Sequence, residues 1–256
     1  MRNEELAGNR DTGLLKMIAL VCMIIDHVGA RILTSAIELR VIGRIAFPLY
    51  IWCMVVGACY TRCPWKYALR LLLVGLIAQP CYMLGLNHGW NQWSVFFTLF
   101  LGYLGIWAIR ENKFGSRYWG PALVLTVPCF INMDYGWRGV LLILLMYLAR
   151  ERRGAIIAAF TGFCLFWGGS GGYITSFAGI PLQNGIFKLE MVHSLMRLQT
   201  LALLALPLIL WPRARRTPFP KTLGYAVYPG HLVLLWVVQL ILGVMSWEGS
   251  MKLLFP

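Results

Sequence analysis

The sequence predicts an all-α fold, a polytopic transmembrane helix bundle of about nine spans (within about eight to eleven) that forms one integral membrane domain over residues 1–256. Composition is the first reason. Of 256 residues, 59% are apolar and only 13% are charged, with a mean hydropathy of +0.67, whereas soluble domains carry roughly 25% charged residues. Patterning is the second. Apolar runs close to the roughly 20 residues needed to cross a bilayer recur along the whole chain.

The first run, Leu14 to about Leu33, follows the polar stretch MRNEELAGNRDTG, so residues 1–13 read as a cytoplasmic tail. No small-residue cleavage site follows a short apolar core, and the run is expected to stay as the first span. Further spans are predicted at 41–60, 67–86, 93–109, 119–133, 137–149, 154–170, 195–211 and 222–246. Between the last two but one lies GGYITSFAGIPLQNGIFKLE, Gly171 to Glu190. Its Gly and Pro argue against a regular helix and its apolar content against a solvated loop, so 171–193 reads as a re-entrant or outer loop segment.

Loop charge sets the orientation. Arg62 and Lys66; Arg110, Lys113 and Arg117; Arg150, Arg152 and Arg153; and Arg213, Arg215, Arg216 and Lys221 fall on alternate connections. The positive-inside rule makes those connections cytoplasmic, with the amino terminus inside and the carboxyl terminus outside. The net charge of +13 is thus a topology signal. Nucleic-acid binding is not expected, because the basic residues form short juxtamembrane clusters rather than one surface.

Seven cysteines lie mostly inside predicted spans with no paired ligand spacing, and no HExxH or carboxylate-rich pattern occurs, so no metal site is expected. The chemistry falls to polar residues at bilayer depth: Asp26, His27, Arg44, Arg70, Gln79 and His231. An ionisable side chain there costs roughly 2.5 to 3.5 kcal/mol on insertion scales, which makes function the default reading. Asp26 and Arg44 also fit a structural ion pair between the first two helices. Arg70, near the start of the third span, also fits snorkelling to the headgroups, and Gln79 before Pro80 fits the satisfaction of carbonyls freed by a kink. His27 is the strongest candidate, since a neutral imidazole needs partners in hydrocarbon and serves as a base near neutral pH. Helical neighbours project about 100° apart, so Asp26 is not expected to orient His27, and a second helix should. His231, just after Pro229 and Gly230, is a candidate for that role, with a hydrogen bond to freed backbone as its structural alternative.

Four stretches in this order, LKMIALVCMIIDHVGA, RVIGRIAFPLYIW, the basic third-helix start that ends in AQP, and GYAVYPGHLVLL, resemble the TraX family. NQWSVFFTL and DYGWRGVLL add support. The family comprises polytopic proteins associated with acetylation of conjugative pilin, and it is similar to the wider group of transmembrane acyltransferases. The resemblance implies a multi-pass protein of the bacterial inner membrane that moves an acetyl group from acetyl-CoA to an acceptor amine, such as the amino terminus of a pilin subunit. It implies His27 as base or transient acetyl acceptor, Asp26 and Arg44 as the pair that fixes and polarises the site, and His231 as completing a proton relay. It also implies Arg70, with Arg62 and Lys66, as ligands of the CoA phosphates. Acetyl transfer comes from the resemblance alone. The buried charges also suit a proton-coupled transporter, the rival reading, and a non-catalytic pilin assembly factor is the third. No internal repeat supports the transporter.

Overall fold

The computed structural model describes residues 6–169, 172–177, 179–182, 195–213 and 217–255. The predicted residues Arg215 and Arg216, the first five of the tail, and all of 183–193, His193 included, lie outside them. Helix dominates, as the composition requires. In chain order α1 is Thr12–Arg31, α2 Ile37–Gly43, α3 Ala46–Tyr60, α4 Pro64–Leu86, α5 Val95–Glu111, α6 Ser116–Phe130, α7 Gly136–Ala149 and α8 Arg153–Gly168. A 3₁₀ turn, Thr200–Ala205, leads into α9, Leu206–Leu210, followed by α10, Lys221–Ile241, and α11, Trp247–Leu254.

Helix falls within each of the nine predicted runs, although 41–60 is broken after Gly43, 195–211 holds a 3₁₀ turn and a short helix from Thr200, and 222–246 extends past the helix end at Ile241. Thr12–Arg31, the nearly continuous Ile37–Tyr60, Pro64–Leu86 and Gly224–Ile241 are long and apolar enough to cross a membrane; Gly136–Ala149, Arg153–Gly168 and Thr200–Leu210 are apolar but shorter. Among the described residues four spans therefore stand on length and composition, and the expected count of about nine is not reached by helices of that length.

The chain divides into two units, Met1–Cys53 with Ala149–Pro218, and Met54–Leu148 with Phe219–Pro256. In the first, Leu6 to Asp11 does not trail away as a tail. Leu6, Asn9 and Asp11 are buried. The Asn9 carbonyl accepts from the Trp52 indole at 2.8 Å, and its amide donates to the Leu208 carbonyl at 3.1 Å. Asp11 caps α1, accepting from the Leu14 N–H at 3.1 Å, and also accepts from the Thr217 backbone at 2.9 Å and hydroxyl at 2.6 Å. Arg213 Nε stands 3.3 Å away. Burial opposes ionisation of Asp11, but the Thr217 and Leu14 hydrogen bonds and the Arg213 charge outweigh it and hold the carboxyl below the usual carboxylate range.

The described part of 171–193 is a short antiparallel hairpin, β1 Ser176–Phe177 against β2 Ile180–Pro181. Ile174 and Leu182 beside it pack on Val41 of α2, with Ile37, Met196, Leu198 and Leu201 around them. Apolar side chains on a non-helical backbone can thus be buried against protein, which is where irregular backbone at depth is tolerated.

In the second unit α4 starts on Pro64, preset for a first helical turn, and stops where Asn87 turns left-handed at φ 53°. It packs against α10, where the Gln239 amide donates to the Gly85 carbonyl at 2.9 Å. α5 meets α7 at Gly102, whose missing side chain leaves room for Ile143, the close approach that small residues allow between membrane helices. At the chain's far end Ser246 caps α11 by accepting from Gly249, and the Trp90 indole donates to the Leu254 carbonyl at 2.9 Å.

Candidate functional site

The second long apolar segment breaks where its sequence demands it. Pro48 has no N–H, and its ring would collide with the carbonyl four residues back, at Arg44. The chain leaves α2 at Gly43 and re-enters helix at Ala46. Arg44 sits in that break, 7% exposed.

α1 crosses α2 closely enough to bring three charges together. A side chain at Gly43 would land 2.1 Å from Asp26 Oδ1, and one at Gly29 would land 2.7 Å from Leu39 Cβ, so both glycines are required by the approach of the two helices. Through this contact Asp26 Oδ1 accepts from Arg44 Nη2 at 2.7 Å, and Oδ2 accepts from Arg40 Nη1 at 2.7 Å. The same Arg40 nitrogen reaches the Asp26 carbonyl at 3.1 Å. Arg44 further donates from Nε to the Arg40 carbonyl at 3.4 Å and from Nη1 to Gln199 Oε1 at 3.5 Å. One carboxylate therefore faces two guanidiniums. Each bond is charge-assisted, the stronger class of hydrogen bond.

The expected contact between Asp26 and Arg44 is thus present. Arg40 is the member that sequence reasoning missed, because it was read into the connection before a span starting at residue 41. A signal existed, since Arg40 and Arg44 are four apart and share a helical face.

His27 is half-buried on α1, one residue beyond Asp26. The helix runs unbroken through both, so the Asp26 carboxylate points at α2 and not at its neighbour. His231, in the second unit, is also half-buried, and its Nδ1 lies 2.8 Å from the Val227 carbonyl with the ring edge-on to Tyr228 at 5.5 Å. A carbonyl only accepts, so the proton is on Nδ1. This is a backbone contact, as in its structural alternative, but not to the carbonyl freed by Pro229, which is that of Tyr225, four residues before the proline. His27 and His231 fall in different units, and a relay between them stays an expectation.

The predicted donor-site residues lie on the second unit. Arg62, Lys66 and Arg70 are all exposed, and Lys66 and Arg70 share a face of α4 four residues apart. Arg70 reaches the Tyr225 hydroxyl at 3.5 Å and lies 5.8 Å from the centre of that ring. Gln79 has a different task from the one expected. Buried in α4, it donates to the Gln92 carbonyl at 2.9 Å and accepts from the Ser94 N–H at 2.9 Å, pinning the start of α5.

A family model described as TraX protein matches residues 11–239, from the cap of α1 to near the end of α10. "Uncharacterized protein RP591" of Rickettsia prowazekii (strain Madrid E) is 26% identical over 145 residues, which cover 55% of this chain and 56% of that protein. "Probable fimbrial assembly protein FimC, serogroup H1" of Dichelobacter nodosus is 39% identical over 72 residues, 27% of this chain and 30% of that protein. The chain thus spans about half the length of the first relative and under a third of the second. No solved structure matches.

Proposed function

This chain belongs to the TraX family, matched from residue 11 to 239, and from that premise we propose that it is a membrane-embedded acetyltransferase that uses acetyl-CoA to acetylate an acceptor amine. Family membership and the fimbrial assembly relative both fit a pilin-related role. The amino terminus of a pilin subunit is the acceptor this reading favours.

In the proposed step the acceptor nitrogen attacks the thioester carbonyl, the N–C bond forms, and the C–S bond breaks with the electron pair leaving on the CoA sulfur. The amine must lose a proton. His27 takes it and passes it to the departing thiolate. Asp26 holds Arg40 and Arg44 in place, and the guanidiniums favour the negative charge that builds on the carbonyl oxygen. Arg62, Lys66 and Arg70 would hold the CoA phosphates, with the start of α4 on the cytoplasmic side by the positive-inside rule. The inner membrane, with the amino terminus inside, is the location that goes with this reading.

The observation that carries the proposal is the family match, which spans the histidine beside the charge cluster. Its test is intact-mass spectrometry of pilins and other envelope proteins from cells with the wild-type protein, without it, and with His27→Ala. One acetyl group lost from the same acceptor in both altered strains supports the enzyme and names the acceptor. Unchanged masses across all three would remove pilin acetylation, and acetylation that survives His27→Ala would remove the base.

A further inference from the structure

In the second unit, the hairpin of α5 and α6 holds a crevice that the proposed reaction does not use. Ser116 Oγ donates to the Ala108 carbonyl at 2.8 Å, and a side chain at Gly120 would land 2.4 Å from Ala108 Cβ. The small Ala108 and Gly120 line a cavity of about 310 Å³ together with the larger Leu104, Trp107, Trp119 and Leu123. That volume is within the roughly 300–1,000 Å³ of small-molecule sites. The lining is almost wholly apolar, which suits a hydrocarbon chain.

The hairpin end of the cavity is charged with both signs. Glu111 and Lys113 line it there, and Lys113 Nζ stands 3.8 Å from Glu111 Oε2, beyond hydrogen-bond reach. An exposed pair of this length holds weakly and can open to admit a ligand. Arg110 is committed elsewhere, donating to the Ala58 and Thr61 carbonyls at 2.6 and 3.3 Å. Phe114, left-handed at φ 51°, is 99% exposed, and its carbonyl accepts from the Trp119 indole at 3.1 Å. In membrane proteins such rings lie at the level of the lipid headgroups. The cavity therefore runs from headgroup depth at the hairpin toward hydrocarbon depth at Leu104 and Leu123. On its wall the Trp107 indole N–H is bonded by no described residue, a donor that seeks an acceptor away from water.

We infer that this crevice binds one phospholipid with an amine-bearing, zwitterionic headgroup. An acyl chain lies along Leu104 and Leu123, an ester carbonyl accepts from the Trp107 indole, the phosphate meets Lys113 and the headgroup ammonium meets Glu111. A headgroup with negative charge alone would be repelled by Glu111, and one whose nitrogen carries no N–H could not donate to it. The inference stands apart from acetyl transfer.

The test uses the purified full-length protein in neutral detergent. Native mass spectrometry follows the lipid retained on titration with phosphatidylethanolamine, phosphatidylcholine or phosphatidylglycerol of identical chains. Phosphatidylethanolamine is expected to bind roughly tenfold more tightly than either of the others. Glu111→Gln should cancel that preference, because the ammonium loses its partner. Lys113→Gln should weaken all three lipids, and Leu123→Trp, which fills the crevice from an exposed position, should do the same. The two charge variants also lie at exposed positions, so the test does not depend on a core substitution that might unfold the protein. Equal retention of the three lipids by wild type would mean a nonspecific lipid shell only and overturn the site. Tightest binding of phosphatidylglycerol or phosphatidylcholine would overturn the amine contact and with it the ligand. A phosphatidylethanolamine preference that survives both Glu111→Gln and Leu123→Trp would put the lipid elsewhere on the protein and overturn the crevice. Acetylated product is read in a separate experiment, so failure here leaves the enzyme reading standing.

Discussion

α1 carries an acid at each end, and the two are treated oppositely. Asp11 is fully buried, and its acceptors are used by neutral donors from Leu14 and Thr217, with a single guanidinium at 3.3 Å. Asp26, about 22 Å further along at 1.5 Å per residue, is gripped by two guanidiniums at 2.7 Å, one of them partly open. The first arrangement is a sealed cap that ties the start of α1 to a segment 206 residues away. The second sets two guanidiniums against one carboxylate, on the residue next to a histidine. Burial of an acid thus does not by itself mark a site. What distinguishes the Asp26 end is a pair of charged donors at 2.7 Å, one of them 27% exposed, next to a half-buried histidine in the chain.

Substitutions at the Asp26 end should therefore separate chemistry from folding. His27→Ala is expected to cost the most in rate, about 10²- to 10⁴-fold as for loss of a general base, with normal amounts of folded protein. Near-normal acetyl transfer by that variant would reduce the Asp26 end to a structural crossing. Asp26→Ala removes an acid that the buried Arg44 holds at 2.7 Å and should cost about 3–5 kcal/mol, so that thermal stability and activity fall together. Gly43→Ala tests the crossing itself, because its Cβ would lie 2.2 Å from Asp26 Cβ. Overpacking of this kind costs about 1–3 kcal/mol, and an unchanged melting temperature would mean that α1 and α2 are not in contact.

The same contrast explains what could be read from the sequence. Long apolar runs placed α1, α3, α4 and α10 closely, since the bilayer dictates both length and composition. Asp26 and Arg44 stood out because charges are rare in such runs. Arg40 did not, because in SAIELR it sits at the edge of a run, where charges are unremarkable. The break at Arg44 was implicit in Pro48 of AFPL, but its use in bringing Arg44 to Asp26 depends on the α1–α2 crossing, which glycines permit and do not announce. Gln79 and Asp11 were least legible. One pins Ser94 and the other binds Thr217, partners that only the tertiary fold supplies, and for that reason the polar run before α1 read as a tail.

The Asp11 end offers the smallest effect and the most specific one. Asp11→Asn keeps an acceptor for the Leu14 N–H but loses charge-assisted bonds to Thr217 and Arg213, an expected loss of about 1–3 kcal/mol at neutral pH. Its pH dependence follows from the direction of the shift. The folded carboxyl titrates below its ordinary value of 3.8, so between that folded value and 3.8 the unfolded chain binds more protons, and stability rises with pH across the window. The contribution is complete above 3.8 and is lost as acid carries the protein down through the folded value. Melting temperatures in detergent across that range should converge for wild type and Asp11→Asn as the pH drops and separate as it rises. Equal separation at every pH would mean that Asp11 acts through shape and not through charge, and the sealed cap would then owe nothing to ionisation.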